Sequence, residues 1–242
     1  MPAAAGRSRV SRALWKVFCY VLGSLVLAVA VVQCWFYAHV LWWRVYQPSE
    51  TAFMEARIGR LRAAKDPRAK LAHQWAPYER ISSQLKRAVV AAEDAKFVGH
   101  EGFDWEAISK AMEKNEKRGK VVSGASTISQ QLAKNLFLSG ERSWSRKAQE
   151  AVITWMLEST LGKRRILELY LNFAEWGEGV FGAQAAARHH FGVDAAALSA
   201  PQAAFLAAIL PSPRRYAPGR ITPYIARRIE TILSRMPAAQ IP

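Results

Sequence analysis

The longest uninterrupted apolar stretch of the chain lies near its N-terminus, where residues 17–43 contain no Asp, Glu, Lys or Arg. A helix needs roughly 20 apolar residues to cross a bilayer, so this stretch is long enough for a transmembrane anchor. Residues 1–16 carry four basic side chains, which by the positive-inside rule places this tail in the cytoplasm. A cleavable signal peptide is the alternative, although its apolar region usually stops at about 15 residues. Both interpretations place the following domain outside the cytoplasm.

After residue 43, the apolar positions repeat with the spacing of helices rather than strands. Residues 44–80 mix charged with scattered apolar residues and are interpreted as a connecting region. From residue 81 onward, apolar residues such as Leu85 and Val89 recur at helical spacing as far as the glycines of residues 99–102. The pattern therefore predicts an all-α domain over residues 81–242, with one N-terminal transmembrane helix. Further helices are predicted at 164–173, 182–191, 199–210 and 223–235.

Several residues have the spacing of helix caps. Thr127 and Gln130 are three residues apart, as in a capping box at the start of a helix. Ser145 is predicted to cap the next helix. Asp104 is predicted to cap a helix that stops before the charged run at 114–120, which is interpreted as a solvated segment.

The chain is strongly basic, with 34 Lys and Arg against 19 Asp and Glu and a formal net charge of +15. Such a surplus suits a polyanionic partner, either nucleic acid, an anionic membrane surface or a phosphorylated ligand. Both cysteines, Cys19 and Cys34, lie inside the apolar stretch. The remainder of the chain therefore has no disulfide and no thiolate zinc site.

Three short blocks combine carboxylates, amides and cations in a way that suits transfer of a sugar from a pyrophosphate. Glu93 opens the block at 93–104, a Gly-Ala-Ser-Thr-Ile-Ser-Gln-Gln block follows at 124–131, and Glu150 closes the block at 142–150. A carboxylate can remove the proton of a sugar hydroxyl, while cations and amide donors hold a phosphate leaving group.

These blocks, with two more, resemble the monofunctional biosynthetic peptidoglycan transglycosylases and the glycosyltransferase module of bifunctional penicillin-binding proteins. The resemblance implies a lysozyme-like helical domain that polymerises lipid-linked disaccharide-pentapeptide (lipid II) into glycan strands. It also implies inversion at the anomeric carbon and release of lipid pyrophosphate. The family often has a tyrosine where His190 stands and an acid where Gln202 stands, both away from the blocks assigned to chemistry. The five blocks lie at 93–104, 124–131, 142–150, 163–172 and 179–192.

The resemblance makes Glu93 the general base for the acceptor sugar hydroxyl. Its apolar neighbours Ala91, Ala92 and Phe97 predict a raised pKa, which a base near neutral pH needs. Glu150 becomes the second active-site carboxylate by the same resemblance. The alternative is an ordinary helix-surface ion pair, because cations stand three and four residues before Glu150.

Lys134 and Arg142 match the family positions that hold the donor pyrophosphate, and Arg146 and Lys147 are candidates for the same task. A basic surface stripe facing anionic lipid is the alternative for Lys147. A divalent cation, Mg²⁺ or Mn²⁺, at the pyrophosphate is compatible with the resemblance, but no residue pattern requires one. The uncharged donors beside these cations are Ser126, Thr127, Gln130 and Gln131.

Two other functions compete with the transferase. A hydrolase or lytic transglycosylase of similar fold cleaves a neutral glycosidic bond and has no use for a row of cations. A basic membrane-anchored binding protein would leave the carboxylate blocks unexplained. Ser83 and Lys86 have the Ser-x-x-Lys spacing of penicillin-binding proteins, but no Lys-Thr-Gly or Ser-x-Asn segment accompanies them, so a monofunctional enzyme is predicted.

The predicted setting is the bacterial inner membrane, with the N-terminus in the cytoplasm and the catalytic domain in the periplasm. The predicted partners are lipid II, the growing lipid-linked glycan strand, the membrane itself and proteins of cell-wall synthesis or division. Nucleic acid is not expected as a partner, because the domain faces away from the cytoplasm.

Overall fold

The computed structural model describes residues 4–64, 67–120, 124–138, 143–216 and 221–242, which form two compact units, Met1–Val45 and Tyr46–Pro242. The first unit is one long helix, α1 (Ala4–Trp43). Its apolar part, Leu14–Trp43, has 30 residues with a mean hydropathy of 2.3, and is long and apolar enough to cross a membrane. It contains the whole stretch predicted from the sequence.

The second unit is built from helices, and the described residues contain strands only as a small three-stranded sheet. Short 3₁₀ turns at Tyr78–Arg80, Phe97–Gly99, Ala195–Ala197, Pro213–Arg215 and Met236–Ala238 connect its elements. The helices are α2 (Ala52–Ala64), α3 (Ser83–Glu93), α4 (Trp105–Arg118), α5 (Ile128–Phe137), α6 (Trp144–Thr160), α7 (Lys163–Phe173), α8 (Ala183–Phe191), α9 (Ala200–Ile209) and α10 (Pro223–Arg235). The strands are β1 (Ala72–His73), β2 (Glu175–Gly177) and β3 (Val180–Phe181).

The core is centred on α9, whose residues 203–209 are all buried and apolar. Helices α3 and α10 pack against α9, and α5 packs against both α6 and α7. A helix that is apolar on every side is buried by its neighbours, as α9 is here. The same packing holds the end of α3 beside α5 and α6, and these three helices carry most of the candidate site.

The small sheet closes one end of the domain in the order β1-β3-β2, with β1 parallel and β2 antiparallel to β3. Gly182 follows β3 with a φ of +82°, and a Cβ atom on it would lie 2.7 Å from the carbonyl oxygen of Asn172. The Asn172 side chain accepts from Ala76 N (2.8 Å) and donates to Ala76 O (2.9 Å). Asn172 therefore joins α7 to the chain after β1.

Two predicted caps are confirmed. Thr127 and Gln130 form a capping box on α5. Ser199 and Gln202, which have the same spacing, form another on α9. Asp104 Oδ1 accepts from Ala107 N at 2.8 Å and caps α4. The all-α prediction is confirmed by the dominance of helices in the described residues.

Two helix boundaries were wrong. Ser143, not Ser145, caps α6, because the Ser143 hydroxyl accepts from Arg146 N at 3.2 Å. Helix α4 does not stop before the charged run but continues through most of it to Arg118. Lys and Glu are good helix formers, and the pair Lys117–Glu113 (2.5 Å) adds support at i,i+4 spacing.

The region predicted to connect the anchor and the domain contributes structure to the second unit. Its helix α2 buries Met54 and Arg57, and β1 pairs with β3. The Arg57 guanidinium donates to Glu175 Oε2 at 2.7 Å, with both side chains less than a tenth exposed. The second compact unit begins at Tyr46 and therefore includes these residues.

Candidate active site

Glu93 is the last residue of α3, and the next residue fixes its surroundings. Asp94 leaves the helical conformation (φ −162°, ψ 74°) and ends α3. Its carboxylate accepts a hydrogen bond of 3.0 Å from Ile128 N in the first turn of α5. The same carboxylate lies 2.9 Å from His100 Nε2. A carboxylate is favourable at a helix N-terminus, where backbone N–H groups lack partners. Asp94 thus joins the end of α3 to the start of α5.

The Glu93 carboxylate is held by a two-step hydrogen-bond chain. Gln131 Nε2 donates to Glu93 Oε2 at 2.9 Å, and Tyr170 Oη donates to Gln131 Oε1 at 2.9 Å. Tyr170 is buried, so its hydroxyl can bond only inside the protein. In the described part of the chain, Glu93 Oε1 receives no hydrogen bond and is left for another partner.

Burial raises the pKa of Glu93, as the apolar neighbours in the sequence predict. The hydrogen bond from Gln131 and the charges of Arg228 and Lys134 act in the opposite direction, and Asp94 adds to the rise. The net shift is upward, which suits a carboxylate that must take a proton near neutral pH.

A cavity of about 440 Å³ lies beside this chain, between the start of α5 and the first turns of α6. It gathers three cations, one carboxylate and several uncharged donors from separate parts of the sequence. Glu93 reaches it through Gln131. The lining residues are Ser126, Gln130, Gln131, Lys134, Ser143, Trp144, Arg146, Lys147 and Glu150.

Glu150 forms the acidic wall of this cavity and is only 4% exposed. Its carboxylate accepts a hydrogen bond from Lys147, and its Oε2 lies 3.7 Å from Arg146 Nη1. The ion pairs expected from the spacing are present, but they lie on the cavity wall rather than on a solvated helix surface. Glu150 is therefore placed to hold two cations toward the cavity.

Lys134 lies within electrostatic range of both carboxylates, Glu93 and Glu150. Burial lowers its pKa, and the nearby charges of Arg146 and Lys147 act in the same direction. The charges of Glu150 and Glu93 raise it. An ammonium group that is partly desolvated and surrounded by other cations gains strongly from an incoming anion.

Most of the predicted site residues are brought together. Seven of them line the cavity, and Glu93 is joined to it. Thr127 is the exception: its buried hydroxyl donates to Gly102 O at 2.7 Å and accepts from Gln130 N, so it serves the capping box. Arg142 lies outside the described residues.

Comparison with known proteins identifies the family. The transglycosylase family model matches residues 60–237. Two similar proteins are named biosynthetic peptidoglycan transglycosylase. That of Herminiimonas arsenicoxydans is 53% identical over 229 residues, covering 95% of this chain and 99% of the relative. That of Methylobacillus flagellatus is 56% identical over 222 residues, covering 91% and 96%.

The chain belongs to the transglycosylase family. The family and the enzyme class predicted from the sequence are confirmed, and with them the lysozyme-like helical domain. The match begins at residue 60 and so includes the end of α2.

The transglycosylase domain has a second cavity, of about 620 Å³, that shares Gln131 and Lys134 with the first. Arg57, Arg214 and Arg215 also line it, so it too is rich in cations. The two cavities therefore meet at α5. Arg57 and Tyr170 were not among the predicted site residues, because only the fold brings them to this part of the domain. The basic pair Arg214-Arg215, after a Pro-Ser-Pro segment, was a visible signal.

Other candidates in the sequence have structural roles. Both ring nitrogens of His100 are engaged, by Asp94 and by Gly102 N. His190 is buried against the carbonyl of Trp176, and no group of three metal-binding side chains occurs among the described residues. Lys86 lies 3.8 Å from the ring centre of Tyr78, while Ser83 is exposed. The Ser-x-x-Lys spacing therefore belongs to the first turn of α3, where Ser83 and Lys86 do not form a site together.

Proposed function

We propose that the chain is a monofunctional peptidoglycan glycosyltransferase that polymerises lipid II into glycan strands. The relatives named biosynthetic peptidoglycan transglycosylase support the reaction class. The arrangement of two residues on α5 carries the mechanism. Gln131 holds Glu93 by a hydrogen bond, and Lys134, one turn later, lines the 440 Å³ cavity, called the cationic cavity below. Residues three apart on a helix lie about 5–6 Å apart on the same face. A base and a phosphate-binding cation therefore lie side by side.

Glu93 acts on the acceptor. Its free oxygen, Oε1, takes the proton of the sugar hydroxyl, whose oxygen then attacks the anomeric carbon of the donor. Gln131 keeps the other oxygen in place, and Tyr170 keeps Gln131 in place. Burial raises the pKa of Glu93 and strengthens it as a base. A single attack of this kind inverts the configuration at that carbon.

Lys134, Arg146 and Lys147 act on the donor. As the bond to the anomeric carbon breaks, negative charge grows on the departing lipid pyrophosphate, and fixed cations stabilise it most at the transition state. Glu150 orients Arg146 and Lys147 through its ion pairs with both. Arg142 is assigned to the same pyrophosphate by its family position.

The cavity does not suit a resident divalent cation. Mg²⁺ and Ca²⁺ prefer several oxygen ligands, and the carboxylate of this cavity is already paired with Arg146 and Lys147. Three cations line the same space. The cationic side chains therefore neutralise the charge of the donor pyrophosphate, and the proposed mechanism uses no metal ion.

The substrate explains the N-terminal helix. Lipid II is held in the bilayer, so a membrane anchor at Leu14–Trp43 raises the concentration of the enzyme near it. The basic tail before this helix puts the N-terminus in the cytoplasm and the domain in the periplasm of the inner membrane. The growing glycan strand and proteins of cell-wall synthesis or division are its expected partners there.

The test is to incubate the full chain in detergent with labelled lipid II and to size the products. Long lipid-linked glycan is expected, with the configuration at the anomeric carbon inverted relative to the donor. Failure to polymerise would overturn the proposal, as would cleavage of preformed glycan without polymerisation. Lys117→Ala is a suitable control for general loss of charge, because Lys117 lies on exposed α4 in a pair with Glu113.

A further inference from the structure

A third cavity, of about 180 Å³, lies between the C-terminal end of α3 and α10. Its α3 side consists of Ala91 and Ala92, which precede Glu93. Its α10 side carries three arginines, together with the hydroxyl groups of Tyr224 and Thr231. The arginines are Arg227, Arg228 and Arg235. None of them belongs to the cationic cavity or to the pocket that adjoins it.

The sequence of α10 produces this arrangement. Tyr224, Arg228, Thr231 and Arg235 follow one another at i, i+4, i+7 and i+11, so they form a single stripe along the helix. Arg227 flanks the stripe and lines the same cavity. Small side chains on α3 leave the space that the guanidinium groups face.

These arginines lack a close ionic partner, although the charge of Arg228 acts on Glu93. In the described ranges, none of the three forms an ion pair within 4 Å. Elsewhere in the domain, exposed Arg188 is paired with Asp194 at 2.7 Å. The Nε atom of Arg228 is buried and has no hydrogen-bond partner. Buried donors in proteins are normally satisfied, so this one indicates a missing acceptor.

We propose that this cavity binds a phosphate group, either as a free oxyanion or as the headgroup of an anionic lipid. Guanidinium groups bind phosphate oxygens through paired N–H donors, and clustered arginines are typical of phosphate sites. The volume lies below the roughly 300–1,000 Å³ of pockets for larger ligands, so it fits one small group rather than a disaccharide. Exposed Tyr224, near the start of α10, lines the same cavity and suits a lipid neighbour.

The position gives the site a means of affecting the base. Arg228 faces Glu93 from α10, while Gln131 and Lys134 face it from α5 and Tyr170 from α7, with Asp94 adjacent in the chain. A phosphate on Arg228 would offset its charge as felt by Glu93. Only this consequence depends on the proposed function; the binding itself does not.

The test is equilibrium dialysis of the full chain in detergent against radiolabelled inorganic phosphate and, separately, against short-chain phosphatidylglycerol, with phosphatidylcholine as the neutral reference. Phosphate can also bind the active-site cations, so every protein carries Lys134→Ala and Arg146→Ala. In this background, Arg227→Gln with Arg235→Gln is compared with Lys110→Gln and Lys117→Gln. Both pairs remove two charges from exposed positions.

Binding of one phosphate per chain that falls at least tenfold in the α10 pair, but not in the α4 pair, would support a free oxyanion. The same pattern seen only with phosphatidylglycerol would support a lipid headgroup. An equal loss in both pairs, no loss in either, or no binding of either probe would overturn the proposal. Unchanged far-UV circular dichroism of each variant confirms folding. Arg227→Lys with Arg235→Lys should bind with intermediate affinity, because the charge remains but the paired donors do not.

Discussion

Gln131 and Glu93, 38 residues apart in the chain, are joined by a hydrogen bond of 2.9 Å from the amide nitrogen to Oε2. The other end of the same side chain accepts a hydrogen bond from the Tyr170 hydroxyl. A flipped amide would place its oxygen against the ionised Glu93 carboxylate, which can only accept. The bond therefore fixes one carboxylate oxygen and leaves the other for the acceptor hydroxyl.

Replacing Glu93 with Gln should abolish polymerisation while the protein still folds and binds donor. The change keeps the shape of the side chain but removes the base, which typically contributes about 10²–10⁴-fold to the rate. Initial rates on labelled lipid II measure the effect. Glu101→Gln is the matched control, because Glu101 lies in the same block but is exposed. Activity within a few-fold of the parent would refute Glu93 as the base.

Tyr170→Phe removes one hydroxyl and frees the Gln131 amide to rotate. We expect kcat to fall about three- to tenfold, which corresponds to one ordinary hydrogen bond, with KM nearly constant. The bond from Gln131 lowers the pKa of Glu93, so its loss should move the acidic limb of the pH–rate profile upward. Tyr78→Phe also deletes a hydroxyl bond, to Pro242 O, but away from the site. A shared loss of activity without a shift of the limb would mean that both tyrosines act only on stability.

Arg228→Gln should raise the pKa of Glu93 further, because the Arg228 charge favours the ionised carboxylate. The base must be ionised to act, so activity should be lost at a higher pH than in the parent as the pH falls. At high pH, where Glu93 is ionised in both proteins, the rates should converge. Arg235→Gln removes the same charge from the same helix and should leave the profile in place. An unmoved limb in Arg228→Gln would show that this arginine does not influence the base.

Lys134→Ala should reduce kcat/KM by about 10²-fold or more, because a preorganised cation at the leaving group is lost. Lys147→Ala should have a smaller effect, since Lys147 is half-exposed and Arg146 remains beside Glu150. Lys117→Ala on α4 should change little. Rates at several salt concentrations distinguish the site from membrane attraction. Equal losses in all three variants, each removed by salt, would indicate generic attraction.

Much of the site was predictable from the sequence because its chemistry is concentrated in short blocks. Gln130, Gln131 and Lys134 share the first turns of one helix, so their common placement follows from helical spacing. Glu150 and its two cations likewise follow from i,i+3 and i,i+4 positions. The pKa shift of Glu93 was predictable in direction from its apolar neighbours.

What could not be predicted depends on contacts between distant parts of the chain. In the sequence, Tyr170 has the pattern of a core residue of α7. Its hydroxyl reaches Gln131 only because α5 packs on α7 in the fold. Arg57 reads as part of a charged connecting region until the fold brings it to Glu175, 118 residues later. The end of α4 was misplaced because a run of charged residues indicates only contact with solvent. An exposed helix provides that contact as well as a loop does.

The Arg57–Glu175 pair predicts a large effect on stability. Arg57→Ala leaves the Glu175 carboxylate buried without its cation, and breaking a buried pair from one side typically costs about 3–5 kcal/mol. Replacing both residues, as Arg57→Met with Glu175→Gln, should recover part of the loss, because no buried charge remains unpaired. Thermal unfolding of the full chain, followed by near-UV circular dichroism in detergent, measures both. Arg188→Ala, which breaks a more exposed pair with Asp194, should lower Tm by no more than a few degrees. If Arg57→Ala were as mild as Arg188→Ala, α2 would not be anchored through this pair.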